Sequence, residues 1–552
     1  MASWREKSYE VLPALSVRGD LLRSYLRTVT AAWMFGIIWM TIIQGSRMNQ
    51  FGRMLGFSDW HFGLLGAIPF IARFGQLLAA TLIERTGLRK HQFLNCATIH
   101  RFLWVLVALV PAISFIPGVP PLPATWAVWL VLGLLLLSFL SDSLAAPAWQ
   151  MWMGAMIPRR IRGRYFSNRQ RWSETIRIPV VIGLAILIDA VTVRGPDGSI
   201  EMTAQAQPTL MYTLSILFAI GGVFGMIDIL LFRKMREVFP STKSELRRPA
   251  IDIRVPRVHG RSFRRLQTGV KFIGVAGDQL LLDPLRDRIF RRTVFVMAVV
   301  TFAIPVSGPF FYRYLLEGLR FSVLGTDMLF LVVGPIAGVI AAKYWGRLLD
   351  RHGRRPVLLL GMIFACFSVL PYFFAMPATP TPHFVVDALN ALWSGGNALI
   401  GRSANPLMGY DAPVGAWMIM SCSMILGGTG WTGVMLAQNN IVLGFSDGQG
   451  RSKYIAAYTV FVSIGGAAGG VAGGLAAWLF GEFAHDRAPI DLGYFVFTNW
   501  HATFVLSWMA RVGGALLLVT MPDPGAGTFR NMMRHVGTNI ARTLRLGNKM
   551  AA

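Results

Sequence analysis

Gly346-Arg347-Leu348-Leu349-Asp350-Arg351-His352-Gly353-Arg354-Arg355 is a short charged run between two long apolar ones, and it has a counterpart earlier in the chain. Ala80-Thr81-Leu82-Ile83-Glu84-Arg85-Thr86-Gly87-Leu88-Arg89-Lys90 has the same shape, 266 residues upstream. At that shift Arg47 falls on Arg313, Leu65 on Leu331, Pro69 on Pro335, Leu82 on Leu348, Arg85 on Arg351, Gly87 on Gly353 and Arg89 on Arg355. Further along, Arg162 matches Arg451 and Tyr165 matches Tyr454, now at a shift of 289. The difference of 23 residues places an insertion near His383–Ala412, where the first half has only the short connection Pro117–Ala124. The chain is therefore read as two related halves.

The flanks of these runs decide the fold class. The 552-residue chain is 54% hydrophobic and only 14% charged, with a mean hydropathy of +0.51. Soluble domains carry roughly a quarter charged residues. Here the apolar residues cluster in nearly charge-free runs of a length that crosses a hydrocarbon core of about 30 Å as a helix. Lipid offers no partner for an open backbone group, so helices are expected, and the alternating segments of a membrane barrel are absent. The spacing predicts spans near 28–46, 61–83, 94–116, 125–155, 173–193 and 209–232, then 293–315, 324–347, 356–377, 413–440, 454–481 and 499–521. The expected fold is an all-α polytopic membrane protein of twelve transmembrane helices in two pseudo-symmetric six-helix bundles. Its parts are an N-terminal arm (1–27), a first bundle (28–232), a basic linker (233–292), a second bundle (293–521, with an extracytoplasmic insertion at 383–412) and a basic amphipathic tail (522–552). With six spans each, the halves run in the same direction, a parallel repeat about the membrane normal.

Charge sets the orientation. With the N-terminal arm inside, the inner segments hold 41 of the 53 Lys and Arg residues, and the outer loops hold only Arg47, Arg53, Arg194, Arg320, Arg402 and Arg487. The positive-inside rule then puts both termini in the cytoplasm and requires an even number of spans. The net charge of +26 is read as this topology signal and as a match to anionic lipid heads of the cytoplasmic leaflet, not as a nucleic-acid footprint. The linker is expected to form cytoplasmic helices on the membrane, as is the tail, where Met532, Met533, Val536, Ile540 and Leu544 recur at helical spacing. Residues 1–27 lack an apolar core with a cleavage site, so the first span is expected to act as an uncleaved insertion signal.

Both charged runs resemble the cytoplasmic loops between the second and third, and eighth and ninth, helices of the major facilitator superfamily. Gly346, Asp350, Arg351, Gly353, Arg354 and Arg355 match that motif closely, whereas the first copy has Ala80 for the leading glycine and Glu84 for the acid, keeping Arg85, Gly87 and Arg89. Pro158-Arg-Arg-Ile-Arg162-Gly163-Arg164-Tyr165-Phe166 and Gly450-Arg451-Ser-Lys453-Tyr454 resemble the loops after the fourth and tenth helices of the same superfamily. The resemblance implies a secondary transporter of the inner membrane working by alternating access on a small solute, functional as a monomer and needing no cofactor. It also implies that these loops latch the cytoplasmic side in one state. The plainer reading is a basic turn that enforces topology. The resemblance further implies that spans 1, 2, 4, 5, 7, 8, 10 and 11 line a central cavity, with 3, 6, 9 and 12 outside.

Mid-span charges in the lining helices are the candidates for substrate or proton chemistry, because a charge at the bilayer centre costs at least about 2.5–3.5 kcal/mol without a partner or water. Arg73 and Asp142 are opposite in sign and at similar expected depth, either a functional pair in the cavity or a structural ion pair. Gln44, Tyr312 and Arg313 close their helices at the outer mouth; Trp149, Gln150, Gln438 and Asn439 lie toward the inner ends, and Trp431 is a candidate cavity aromatic. Trp152 reads as an interfacial anchor. Arg101, Asp228 and Arg511 fall in expected outer helices and read as packing residues. The run Gly465–Gly474 reads as close helix packing, with hinging as an additional role. No phosphate-binding Gly-x-x-x-x-Gly-Lys loop, no Gly-x-Ser-x-Gly elbow and no His-Glu-x-x-His pair occurs, which argues against a pump or an enzyme. The three cysteines show no metal or disulfide spacing. The remaining rival is a transport-inactive relative serving as receptor or scaffold.

Overall fold

The computed structural model describes residues 19–86, 89–112, 123–194, 203–236, 281–377, 379–399, 409, 413–444, 451–483, 490–491, 496–523 and 526–538. Twelve long helices dominate it. The first half contains α1 (Asp20–Ile43), α2 (Asp59–Ala79), α3 (Arg89–Leu109), α4 (Ala124–Met156), α5 (Arg159–Val191) and α6 (Pro208–Leu231). The second half contains α7 (Arg288–Arg313), α8 (Val323–His352), α9 (Arg354–Phe374), α10 (Val414–Gly444), α11 (Arg451–Phe483) and α12 (Asn499–Val519). Eleven described helices are long and apolar enough to cross a membrane, and α5 falls outside that set. It has 33 residues, but Glu174, Arg177 and Asp189 interrupt its apolar part and arginines fill its first turns. The outer surface exposes Trp126, Phe295 and Leu516, each at 60% or more, as a lipid-facing wall would. Strand structure among the described residues is one short antiparallel pair, Ile490–Asp491 with Val496–Phe497.

The repeat is visible in the packing. In the first half α1 packs on α5 and α6, α2 on α4, and α3 on α4 and α6. The second half makes the same set six helices later: α7 on α11 and α12, α8 on α10, and α9 on α10 and α12. Because corresponding helices run the same way, one face carries the start of α1, the connections after α2, α4, α6, α8 and α10, and the end of α12. Most of the positive charge lies in those segments; we call it the basic face, and the other the distal face.

Several boundaries differ from the sequence reading. The first span was expected at 28–46, but α1 stops at Ile43, and Gly45 at φ +80° turns the chain into a separate helix, Ser46–Met54. Apolar periodicity located α5 by its distal half only; the helix starts at Arg159 despite its polar first turns. Helix α2 is interrupted at Arg73–Phe74 before continuing through Thr86, and α8 contains a wide π turn at Leu329–Val333. Asp287 caps α7, its carboxylate accepting from the Ile289 and Phe290 amides. The linker's expected helices at 237–280 lie outside the described residues, and the insertion is described as a helix over His383–Leu399. In the tail, Met532 is fully buried in a cluster with Val296, Met297 and Trp345, so this turn docks on the second half. Trp152 is not an interfacial anchor: it is fully buried against Phe93 and Phe232.

Helix α11 has two glycine faces. Gly465, Gly469 and Gly473 rest on the carbonyls of Ala298, Phe302 and Val306 in α7, where an added Cβ would sit 2.1–2.3 Å from oxygen. Gly466, Gly470 and Gly474 rest on Phe70, Ala67 and Gly63 of α2 in the other half. Spacing of four residues keeps each set on one face, and small residues let backbones touch in a solvent that supplies no hydrophobic drive between helices. One face is thus internal to the second half and the other forms the seam between halves.

Gly473→Val is expected to lower the detergent melting temperature sharply, an overpacking cost on the order of 3 kcal/mol. Gly481→Val in the same helix, where no atom lies within 4 Å of an added Cβ, is expected to be near neutral. Equal effects in thermal unfolding would refute the tight α7–α11 contact.

Candidate functional site

The halves are locked together at the distal face. Arg47, fully buried, donates to the carboxylate of Asp327 at the start of α8, and Asp327 also accepts from the Ser46 amide at 3.2 Å. Arg47 is held in place by the Ile42 and Thr41 carbonyls at 3.1 and 2.9 Å. Its repeat counterpart Arg313 does the reciprocal thing, donating to Asp59 at the start of α2. Asn499 donates to the other oxygen of Asp59, and Glu317 joins Arg313 (3.3 Å) to Arg53 of the first half (3.2 Å). Asp189 near the end of α5 accepts from the Val323 and Leu324 amides, both at 2.8 Å, so a carboxylate of one half caps a helix N-terminus of the other. Among the described residues, every ion pair joining the halves lies at this end.

Behind the lock lie two adjoining cavities of about 620 Å³ each, which share Ile304 and Gly308 of α7. The first lobe is bounded by α1, α2, α3, α4 and α7 and includes Gln44, Tyr312, His100, Arg101 and Asp142. The second is bounded by α7, α8, α9, α10 and α12 and includes Trp431 and Arg511. The expectation that α3, α9 and α12 stay outside is therefore corrected: each contributes side chains to a lobe. Each volume falls within the ~300–1,000 Å³ typical of small-molecule sites.

The expected Arg73–Asp142 pair is not formed. Depth along a helix says nothing about which way a side chain points, and among the described residues no ion pair joins these two. Arg73 sits at the break in α2 with its guanidinium 5.0 Å from the Phe70 ring. Asp142 meets α3, 4.0 Å from His100 Nε2, and the His100 Nδ1 contacts the Ser138 hydroxyl at 2.6 Å. Next to it, Arg101 lies 3.7 Å from Asp228 and 3.5 Å from the Trp39 ring centroid. The first lobe thus gathers a His–Asp pair beside an Arg–Asp pair. Sequence reasoning placed Arg101 and Asp228 in packing and passed over His100; adjacency of His100 and Arg101 in an apolar span was the available signal.

The other candidates are scattered. Tyr312 stacks on Phe330 with ring centroids 4.0 Å apart, joining α7 to α8. Trp149 lies near the basic end, where the Arg169 guanidinium sits 4.3 Å from the Trp33 ring and 5.4 Å from that of Trp149. Gln150 and Asn439 are exposed, and Gln438 contacts the sulfur of Met297 at 3.8 Å. Neither lobe includes these last four. In the loop motif, Gly353 turns between α8 and α9 at φ +84°, a value an L-residue resists. Arg355 donates from its amide to Asp523 and from its side chain to the Val519 carbonyl, and Arg351 contacts His535 at 3.3 Å. These contacts tie the motif to the end of α12 and the tail of its own half. Asp350 is exposed, Arg354 is half-buried, and Gly346 has open space around it. The side chains of Glu84, Arg85, Arg162, Arg164 and Arg451, and the positions Gly87 and Gly163, lie outside what the structure describes, as do any side-chain contacts of Arg89.

This geometry defines a polytopic membrane protein of transporter type: two homologous helix bundles, closed against each other at one end around a central cavity. Residues 207–416 match the family model described as Major Facilitator Superfamily. A comparison with curated proteins finds no matching sequence. Among solved structures, the fold is similar to a D-xylose–proton symporter (TM-score 0.53, 13% identity, covering 92% of this chain and 100% of that one). It is also similar to the inward-open xylose transporter XylE from E. coli (0.51, 15%, 93% and 99%) and to the nucleoside transporter NupG (0.51, 13%, 91% and 100%). The fold is that of the major facilitator superfamily, as the loop motifs led one to expect.

Removing one member of a buried ion pair strands the other, at a cost of about 3–5 kcal/mol. Arg47→Ala is therefore expected to open the distal face. A cysteine at Asn49 in a cysteine-free background should then react with a membrane-impermeant maleimide from the distal side roughly tenfold faster or more. Swapping the charges, Arg47→Asp with Asp327→Arg, should return the rate toward the parent's; an unchanged rate in Arg47→Ala would contradict the lock.

Proposed function

We propose that the protein is a secondary active transporter that moves a small organic solute across the inner membrane by alternating access, standing here open toward the cytoplasm. The observation that carries this reading is the one-sided closure: the inter-half ion pairs lie at the distal end, in front of a cavity shared by the halves. The positive-inside rule makes the basic face cytoplasmic, with both termini on that side. A switch from one state in a hundred to ninety-nine in a hundred needs about 5.5 kcal/mol of differential binding. Stranding one member of a buried pair costs about 3–5 kcal/mol, so the distal pairs weigh on a balance of that size. The α2–α11 glycine seam, smooth on both sides, suits rocking of one half on the other. The loop motif, tied within its own half here, is free to latch the cytoplasmic side in the opposite state.

Proton coupling is assigned to Asp142, which faces His100 in the cavity with Arg101 close by. A thermal-shift screen against sugars, amino acids, organic acids and cationic drugs identifies the solute class, because a ligand of the folded state raises its melting temperature. Flux of the hit into proteoliposomes is then expected to be saturable and driven by a pH gradient. Asp142→Asn should abolish the pH dependence and leave the folded yield intact. Equal gradient-driven flux in variant and parent would remove Asp142 from the coupling. Binding of hits with no flux of any would favour the transport-inactive receptor or scaffold instead.

A further inference from the structure

The second lobe holds a cation without a counter-ion. Arg511, in the middle of α12, is 2% exposed, and it is the only charged residue among those lining the lobe. Its Nη1 donates to the Ala365 carbonyl at 2.8 Å and to the Ser368 hydroxyl at 3.2 Å. Its Nε is buried with no hydrogen-bond partner among the described residues, and no carboxylate pairs with it there. The neighbouring rings of Trp431 and Phe311 lie 5.4 and 6.0 Å from the guanidinium carbon, cation–π contacts that carry no net charge to neutralise it. The other buried arginines described in this chain behave differently: Arg47, Arg101 and Arg313 each face a carboxylate.

A buried guanidinium at mid-membrane is costly unless something compensates it, and planar N–H donors match a carboxylate in geometry as well as charge. The space in front of it is apolar and flat-walled. Gly334 and Gly338 of α8 and Gly427 and Gly428 of α10 line it together with Trp431 and Tyr372, and Gly428 meets the Gly334 carbonyl, so α8 and α10 touch there. We propose that this lobe is the binding site for an organic carboxylate whose apolar, aromatic-sized body lies in the glycine-walled slot while its anion pairs with Arg511. Ser368 and the Ala365 carbonyl hold Nη1 and leave Nε–H without a partner among the described residues. The proposal rests on the transporter reading and supplies its substrate class; the first lobe, with its own acids, balances its cations internally and is left for coupling.

The test uses the purified full chain in detergent. Indole-3-acetate, 3-phenylpropionate and octanoate are compared with their neutral amides and with the corresponding amines, by thermal shift and by quenching of tryptophan fluorescence. At least one carboxylate is expected to bind tenfold or more tightly than its amide, with the amine weakest. Arg511→Gln should erase that preference while leaving amide binding in place, and Arg511→Lys should restore part of it. Trp431→Phe should remove most of the quenching without removing the thermal shift. Equal binding of carboxylate and amide by the parent, no binding of any carboxylate, an unchanged preference in Arg511→Gln, or a shift given by sodium chloride alone would each overturn the proposal. If Arg511→Gln does not fold, the parent's carboxylate-to-amide ratio together with competition at Trp431 decides it. Flux of a neutral solute that ignores Arg511 would overturn the anion site and keep the transporter; carboxylate binding without flux would keep the anion site and overturn transport.

Discussion

A charge buried in a membrane protein needs a counter-charge, and in this chain two such charges find theirs in the opposite half. Arg47 and Arg313 occupy equivalent positions in the repeat, each just beyond or at the distal end of the first helix of its bundle. Each reaches an acid at the start of the other bundle's second helix, Asp327 and Asp59. Duplication of one half supplied both arginines, and the two-fold relation between halves brings each opposite the other's helix start. The closed distal end is thus a product of the symmetry.

The rest of the arrangement follows from that closure. With the distal ends fixed, the α2–α11 glycine seam meets from Gly63 and Gly474 down to Phe70 and Gly466, and Arg73 sits just past it. The cavity lies behind the lock, between the two halves. Its two lobes differ in kind. One contains acids that balance its cations, beside a histidine; the other contains Arg511 in an apolar slot. The proposed division between coupling and recognition draws on that difference.

Much of the fold was legible because it rests on local and periodic signals. The charge-free runs gave the helices, and the duplicated loop motif gave the two halves. Where polar residues sit on a membrane helix the signal failed: the first turns of α5 read as loop, since arginines facing a cavity or water look the same in sequence as arginines between helices. The site was less legible. The equivalence of Arg47 and Arg313 stood out, but their partners lie some 280 and 254 residues away and only the packing of halves brings them near. Arg73 and Asp142 were matched by expected depth alone, and their neighbours are Phe70 and His100. Arg511 was assigned to packing because its helix belongs to the outer set, although a long side chain can cross from an outer helix into the interior.

The central claim is that the halves rock about the seam, with the distal ion pairs holding one of two states. Pulsed electron–electron resonance measures it directly, with spin labels at Thr209 and Phe384 reporting across the distal face and at Arg233 and Met533 across the basic face. In the parent a narrow distal distance and a wide basic one are expected. Combining Arg47→Ala with Arg313→Ala should lengthen the first and shorten the second together. Distances that stay fixed in both pairs, or that lengthen in both, would contradict the account.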